Sequence, residues 1–160
     1  WKIAHDNTLD DYHVAIAHKD TLHKEQGPIK NYRYFFSEFC NLLVTPLSSE
    51  GNLYTFGLLP WTHLIIWPGK GLVLINYLPK NIDQCIIEIK LASASLCEND
   101  LENWKKSILE FLGEDKVIVE SVHKSYLENF KLGPPNRLEQ RIIHWQNIYK
   151  DFLNASGISF

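Results

Sequence analysis

The chain has 160 residues, of which 45% are apolar and 12% aromatic, enough for one domain with a buried core. Its formal charge of -3, without any basic stripe, argues against nucleic acid as a partner. The apolar stretches 58–68 and 72–78 are shorter than the roughly 20 residues of a membrane span, so no membrane partner is predicted.

The three cysteines, Cys40, Cys85 and Cys97, stand at wide spacings and form no C-x-x-C pair. An odd number of cysteines cannot be paired completely in disulfides within one chain. This usage is typical of reduced, buried thiols and predicts a cytoplasmic protein.

The start of the chain predicts a short extended segment and then a helix that continues to about Tyr12. Residues 23–31 are polar, lack a period and contain Gly27-Pro28, which predicts a loop. This loop would be placed to act as a mobile lid over the segment before it.

The middle of the chain predicts four β-strands. They span residues 52–59, 62–67, 71–79 and 84–92, and are separated by proline, glycine and asparagine. Alternating residues such as Ile86, Glu88 and Lys90 fit an antiparallel meander with one face on a core.

The hydrophobic period changes to a helical one after residue 98. Apolar residues at spacings of three and four predict an amphipathic helix that Gly113 ends, followed by a second helix over residues 114–128. Asn136 and Glu139 have the spacing of a capping box, and a helix of about 18 residues is expected to follow. The order predicts an α+β fold: an antiparallel sheet with helices on one face and a long C-terminal helix, a helix-grip (START-like) arrangement.

Two histidines are candidate metal ligands. Iron(II) that binds both dioxygen and substrate needs few protein ligands on one face, as two imidazoles and a carboxylate provide. His13 and His18 supply two imidazoles five residues apart. On a continuous helix they would be rotated by about 140 degrees, so the helix must end or loosen between them. The spacing by itself is weak, because isolated pairs are more often solvent-exposed or core histidines.

The residues around the pair are more specific. They read Trp1-Lys2-Ile3-Ala4-His5-Asp6-Asn7-Thr8-Leu9-Asp10-Asp11-Tyr12-His13-Val14-Ala15-Ile16-Ala17-His18. This segment closely resembles a Rieske oxygenase α-subunit sequence: N-W-K, three residues, acid, N, two residues, acid, one residue, Y-H, four residues, H. The resemblance implies that His13 and His18 bind a mononuclear Fe(II) ion. It also implies that Asp10 bridges toward the Rieske cluster of a neighbouring subunit. A carboxylate on the outer nitrogen of a ligand imidazole fixes its tautomer, which is consistent with this role.

The third ligand of this family is an aspartate in a sequence such as E-D-x-x-x-x-E-x-V-Q. Residues 114–123 match that pattern, with His123 in place of the glutamine. The resemblance therefore implies that Asp115 is the carboxylate ligand. Without it, Glu114 and Asp115 would be explained as acids that favour a helix N-terminus through its dipole.

A substrate pocket is expected to include Asn7, Trp61 and His63. Asn7 matches the family asparagine near iron, and the two strand residues could wall a hydrophobic site. The alternative is that the strand residues are plain core and that Asn7 caps the backbone. Asp11 is expected to be an exposed neighbour, and His23 to be solvated.

Members of this family carry an N-terminal Rieske domain, in which C-x-H and C-x-x-H pairs hold a 2Fe-2S cluster. No cysteine here has a histidine at those offsets, and the chain begins inside the N-W-K motif. Residues 1–160 are therefore expected to be a single catalytic domain, with the Rieske cluster in a missing domain or partner subunit.

The expected activity is O2-dependent hydroxylation, dihydroxylation or dealkylation of an aromatic or small organic substrate. Electrons would come from a Rieske domain, ferredoxin or reductase, across a homotrimer.

Two rival functions stay open. A START-like module could bind a hydrophobic ligand without turnover, and stoichiometric metal would distinguish it from the oxygenase. A hydrolase could hold zinc with the same three ligands, and would need a general base nearby. Glu120 is the only obvious acid near Asp115, and it faces about 140 degrees away on a helix.

Overall fold

The apolar alternation of the middle of the chain forms most of one antiparallel sheet in the computed structural model, which describes residues 1–128 and 133–157. Six strands pair in chain order, each with the next. They are β1 Arg33–Phe36, β2 Cys40–Pro46, β3 Asn52–Leu58, β4 Thr62–Trp67, β5 Gly71–Pro79 and β6 Cys85–Ala92. The four predicted strands are confirmed, each within a residue of its expected ends, and β1 and β2 extend the sheet on one side.

Four α-helices accompany the sheet. They are α1 Lys2–Leu9, α2 Val14–Ala17, α3 Glu98–Leu127 and α4 Gln140–Ala155. Short 3-10 turns lie at Leu22–Glu25 and Ile29–Asn31, at the two ends of the predicted loop, and a third at Arg137–Glu139 leads into α4. The predicted α+β fold, with an antiparallel sheet and a C-terminal helix, is confirmed.

The core lies between one face of the sheet and the helices. Odd-numbered residues of β3, β4 and β5 face inward, because side chains alternate along a strand. The inward residues form one cluster with α1 and α3: Ala4, Leu53, Ile65, Trp67, Val73, Ile75, Tyr77, Trp104, Ile108, Phe111 and Leu112. The helices pack on this face of the sheet, and the candidate site lies between them and the sheet.

The long helix α3 corrects the predicted break at Gly113. It runs for 30 residues without interruption. A glycine inside a helix costs only about 1 kcal/mol relative to alanine, and the buried Ile108, Phe111 and Asp115 keep one helical face against the core. Packing therefore outweighs the local preference, and residues 114 and 115 lie near the middle of a helix.

The start of the C-terminal helix agrees with the sequence. Asn136 Oδ1 accepts a hydrogen bond from the Leu138 N–H at 2.7 Å, and Glu139 Oε2 accepts one from the Asn136 N–H at 2.6 Å. The predicted capping box is confirmed, and α4 follows it with 16 residues.

The cysteines are free, as predicted, but they are not buried. Cys40 and Cys85 are half-buried and Cys97 is exposed. Cys97 immediately precedes α3, where its Sγ donates to Asp100 at 3.0 Å. Within the described residues, no helix is both long enough and apolar enough to cross a membrane.

Candidate metal centre

The two histidines lie at opposite ends of one very short helix. α1 ends at Leu9 rather than near Tyr12, and Asp10 continues in an extended conformation with φ -86° and ψ 111°. His13 precedes the four-residue α2 and His18 follows it, so the chain makes one turn between them. Their ring centroids are 5.2 Å apart, at an interplanar angle of 76°. The helical conformation therefore ends between His13 and His18, as their spacing requires if both are to meet one metal ion.

Asp115 of α3 meets both histidines. Its Oδ1 lies 3.0 Å from His18 Nε2 and 3.4 Å from His13 Nε2. One donor atom from each of the three residues lies within 4.8 Å of the other two. Across residues 1–128 and 133–157, this is the one such group of three histidine, cysteine or acidic residues.

The Asp115 carboxylate is placed to bind a cation. Asp115 Oδ1 is buried, yet among the described residues it accepts no hydrogen bond of ordinary geometry. A buried carboxylate oxygen without a partner is costly. Because Nε2 of both histidines faces this oxygen, all three can donate lone pairs to one ion between them. Two imidazoles and one carboxylate are a donor set that fits iron(II) with open coordination positions.

The charges of the three groups are coupled. Burial raises the pKa of the Asp115 carboxyl, but the nearby imidazoles of His13 and His18 outweigh it and hold that pKa well below its usual range. Burial lowers the pKa of His18, but Asp115 and Glu114 outweigh it and raise that pKa above its usual value. The carboxyl group is therefore ionised at neutral pH, as a metal ligand must be.

The outer nitrogens of both imidazoles have acceptors. His18 Nδ1 lies 2.7 Å from Glu114 Oε2, which also accepts from Thr21 Oγ1 at 2.9 Å. His13 Nδ1 contacts the main-chain carbonyl oxygen of Asp10. Acceptors on Nδ1 keep the proton there and leave the Nε2 lone pair free for a metal.

Glu114 is a site residue that the sequence did not predict. It lies in the middle of α3, where consecutive side chains are about 100 degrees apart. Glu114 and Asp115 therefore contact the two nitrogens of one imidazole, that of His18. The adjacent Glu114 and Asp115 could have indicated this role in the sequence. Their joint contact with one imidazole could be predicted only with the knowledge that the helix continues through Gly113.

Asp10 contacts His13 through its main chain, and not through its carboxylate as the sequence predicted. Its carbonyl oxygen meets His13, whereas Asp10 Oδ1 accepts from the Tyr12 N–H at 3.1 Å. Burial raises the pKa of the Asp10 carboxyl to about 6, against the lowering effect of the His13 charge.

Asp11 is buried, which corrects the expectation that it is exposed. Only 3% of it is accessible, and its Oδ1 accepts a hydrogen bond from Arg141 Nη1 at 3.0 Å. Arg141 also donates to Asn41 Oδ1 at 2.8 Å and to the Thr55 carbonyl oxygen at 3.2 Å. This network holds the turn before His13 against α4 and the sheet.

Two cavities border the site, and within residues 1–128 and 133–157 Asp115 is the one that lines both. A small cavity of about 70 Å³ is lined by all three candidate ligands and by His63. Burial lowers the pKa of His63 well below its usual value, so this imidazole is neutral. A larger cavity of about 470 Å³ lies between α1, α3 and the turn from β5 to β6.

The three residues expected in a substrate pocket are therefore separated. Asn7 lines the larger cavity and His63 the smaller one. Trp61 lines neither and packs edge-on against Trp1, with ring centroids 6.0 Å apart. His23, expected to be solvated, is half-buried in a 3-10 turn and does not join the three convergent groups.

No protein-family model and no curated protein matches the sequence. Solved structures of Rieske monooxygenases resemble the fold. A quaternary ammonium Rieske monooxygenase, studied for carnitine oxidation by gut microbiota and inter-subunit electron transfer, matches with a TM-score of 0.76 and 18% identity, covering 95% of this chain and 47% of the other.

The same type of enzyme, CntA, is matched in two complexes. With inhibitor MMV12 the TM-score is 0.70 at 20% identity, covering 78% of this chain and 36% of that one. With its substrate L-carnitine the TM-score is 0.62 at 21% identity, covering 78% and 35%. The chain thus spans about a third to a half of these proteins, and it has a fold like that of part of a Rieske oxygenase.

Proposed function

We propose that this chain is the catalytic domain of a Rieske-type oxygenase, in which His13, His18 and Asp115 hold a mononuclear iron(II) ion. The convergence of their three donor atoms within 4.8 Å is the observation that carries the proposal. The iron would supply the binding and reduction of dioxygen for oxidation of a small organic substrate.

The chain's own residues would orient and isolate that ion. Glu114 accepts from His18 and the Asp10 carbonyl from His13, so both imidazoles keep a fixed tautomer. We propose that electrons from a Rieske cluster on another domain, a ferredoxin or a neighbouring subunit enter through Asp10 to His13. Such transfer between subunits implies a homo-oligomer, of which a trimer is the form we propose.

The small cavity beside the three ligands would exclude bulk water from the reacting centre. Its volume of about 70 Å³ has room for a few water-sized molecules, and His63 lines it. Neutral His63 could donate or accept one hydrogen bond there. We propose that His63 and Asn7 lie in the surroundings of the active site, and that Trp61 supports Trp1 by packing against its ring.

Glu120, the acid that the sequence suggested as the base of a zinc hydrolase, is not placed for that role. Glu120 lies on the exposed side of α3, with 62% of its side chain accessible, and pairs with Lys116 at 3.8 Å. A general base must reach the metal-bound water within hydrogen-bond distance or through one further water. A ligand-binding module without turnover would have no need of the three convergent donors.

Anaerobic titration of the purified, chelator-treated chain with iron(II) tests the proposal. We expect one equivalent to bind, and His13→Ala, His18→Ala and Asp115→Ala each to remove binding. His123→Ala is the matched control, because this histidine pairs with Asp83 on the surface at 3.3 Å. Binding that survives in the His13→Ala, His18→Ala double variant would exclude the assigned site.

A further inference from the structure

The larger cavity has the size of a small-molecule site. Its volume of about 470 Å³ is within the roughly 300–1,000 Å³ typical of ligand pockets. Asp115, which is buried, and Asn7 both line it, so a bound molecule would lie beside the candidate metal ligand. The relevance of this position to catalysis rests on the proposed function, whereas binding itself does not.

The wall of the cavity is mainly apolar. The side chains that form it come from α1, α3 and the strands β5 and β6. They include Ile3, Ala4, Tyr77, Cys85, Leu112 and Val119. Such a lining favours a compact molecule with an apolar body, because burial of apolar surface drives its transfer from water.

The charged residues at the opening leave one cation without a partner. Glu120 pairs with Lys116 at 3.8 Å, and Asp83 pairs with His123 at 3.3 Å. Lys80, in the turn after β5, also lines the cavity, and within the described residues it forms no ion pair. The acids at the opening are therefore partly neutralised, while an ammonium group remains free to meet a ligand.

The aromatic residues do not form a site for an organic cation. Among the residues that the structure describes, Trp1 and Tyr77 are the aromatic ones that line the cavity. Tyr77 is only 1% exposed and meets His5 edge to face at 5.8 Å. An aromatic cage for a quaternary ammonium group requires several open ring faces, and Trp1 alone remains.

We propose that this cavity binds a compact apolar molecule that carries one anionic group, with the anionic group at Lys80 and the apolar body toward Asp115. Asp115 would then belong both to the metal centre and to the substrate site. The chemical class is an organic acid; neutral amides of the same shape should bind more weakly, and organic cations more weakly still.

Three probes with a common apolar body test the class of ligand. They share a tert-butylphenyl body and differ in charge: 4-tert-butylbenzoate, 4-tert-butylbenzamide and 4-tert-butylphenyltrimethylammonium. Their dissociation constants are measured by calorimetry or ligand-observed NMR, with the metal-free chain and with the iron(II)-loaded chain. We expect the carboxylate to bind about fivefold more tightly than the amide, the scale of one partly exposed ion pair.

Variants locate the interaction. Lys80→Gln should bring the carboxylate and the amide to equal affinity, and Lys80→Glu should reverse their order. Lys106→Gln, on α3 away from the cavity, is the matched control and should retain the preference. Val119→Trp should fill the cavity and weaken binding of all three probes at least tenfold, with circular dichroism confirming that the variant is folded.

Tightest binding of the trimethylammonium probe would overturn the inference, as would a carboxylate preference that Lys80→Gln leaves unchanged. Failure of every probe to bind at millimolar concentration would also overturn it. Because probe binding is measured without metal, absence of iron binding would contradict the proposed function alone. A carboxylate preference seen only in the iron-loaded chain, and insensitive to Lys80, would mean direct binding to the metal and would likewise overturn the role of Lys80.

Discussion

Asp11 and Arg141 form a buried ion pair across 130 residues of sequence, with Asp11 Oδ1 3.0 Å from Arg141 Nη1. Only 3% of the Asp11 side chain and 1% of the Arg141 side chain are exposed. Asp11 lies two residues before His13, and Arg141 lies in the first turn of α4. The C-terminal helix is therefore tied directly to the segment that supplies the first candidate ligand.

Replacement of Arg141 should destabilise the fold strongly. Arg141→Met leaves the Asp11 charge buried without its partner, and it removes donors from Asn41 and the Thr55 carbonyl. We expect the free energy of unfolding in urea to fall by about 3–5 kcal/mol. Arg137→Met, at an exposed position before the same helix, should change it by less than about 0.5 kcal/mol. A loss below 1 kcal/mol for Arg141→Met would contradict the importance of the pair.

Glu114 should tune the affinity for iron without being a ligand. Glu114→Ala removes the acceptor on His18 Nδ1, and we expect iron(II) affinity to fall by about 10–100-fold in anaerobic titrations. Glu114→Gln should lose less, because its amide oxygen can still accept from the imidazole. Glu110→Ala, one turn earlier at an exposed position of α3, serves as control. Equal affinities for Glu114→Ala and Glu110→Ala would show that Glu114 has no such role.

His5 should make the fold sensitive to acid. Burial, with a smaller contribution from the Arg141 charge, lowers the pKa of His5 from 6.5 to about 4. Between pH 4 and 6.5 the unfolded chain therefore holds a proton on His5 that the folded chain lacks. Stability rises with pH through this window and is lost as the pH falls.

The comparison with a variant isolates this effect. His5 packs against Trp145 with ring centroids 4.9 Å apart, and His5→Phe keeps an aromatic ring there. Between pH 7 and pH 5, in the presence of chelator, the unaltered chain should lose about 2 kcal/mol more than His5→Phe. Urea midpoints at the two pH values measure it, and identical losses would show that His5 does not titrate as described.

Gly113→Ala should stabilise the protein. Gly113 lies inside α3, and a Cβ built at this position meets no atom within 4 Å. Alanine at an unhindered helical position should add about 0.5–1 kcal/mol to the free energy of unfolding. Gly51→Ala is the matched control with the opposite expected sign, because Gly51 has a φ of 96°. Destabilisation by Gly113→Ala would indicate that the helix does not continue through this residue in solution.

The parts of the fold that the sequence predicted are those in which local pattern and packing agree. Alternation in β3 to β6 and the capping box at Asn136 are local signals, and the structure follows both. β2 was missed because it contains Asn41 and Thr45, polar residues that are 1% exposed. Asn41 is satisfied by Arg141, 100 residues away, and such a partner cannot be read from the strand itself.

The candidate site shows the same division between features that follow from local sequence and features that depend on long-range contacts. His13 and His18 follow from a motif within one segment, and the short helix between them is a local consequence. Glu114, in contrast, required the knowledge that α3 is continuous, and the burial of Asp11 required the position of α4. Long-range contacts thus decide which neighbours of the candidate ligands support them.

The packing of α3 changes at Asp115. Trp104, Ile108, Phe111, Leu112 and Asp115 are its buried residues, and none of the twelve residues from 116 to 127 is fully buried. Buried contacts with the core thus hold the first half of the helix, and its second half extends beyond the site without a fully buried residue. Local opening should therefore begin at the C-terminal end, where backbone amides are held by few tertiary contacts. Slow hydrogen exchange would then extend only as far as the turn that carries Glu114 and Asp115, and a bound ion would move that boundary toward residue 127.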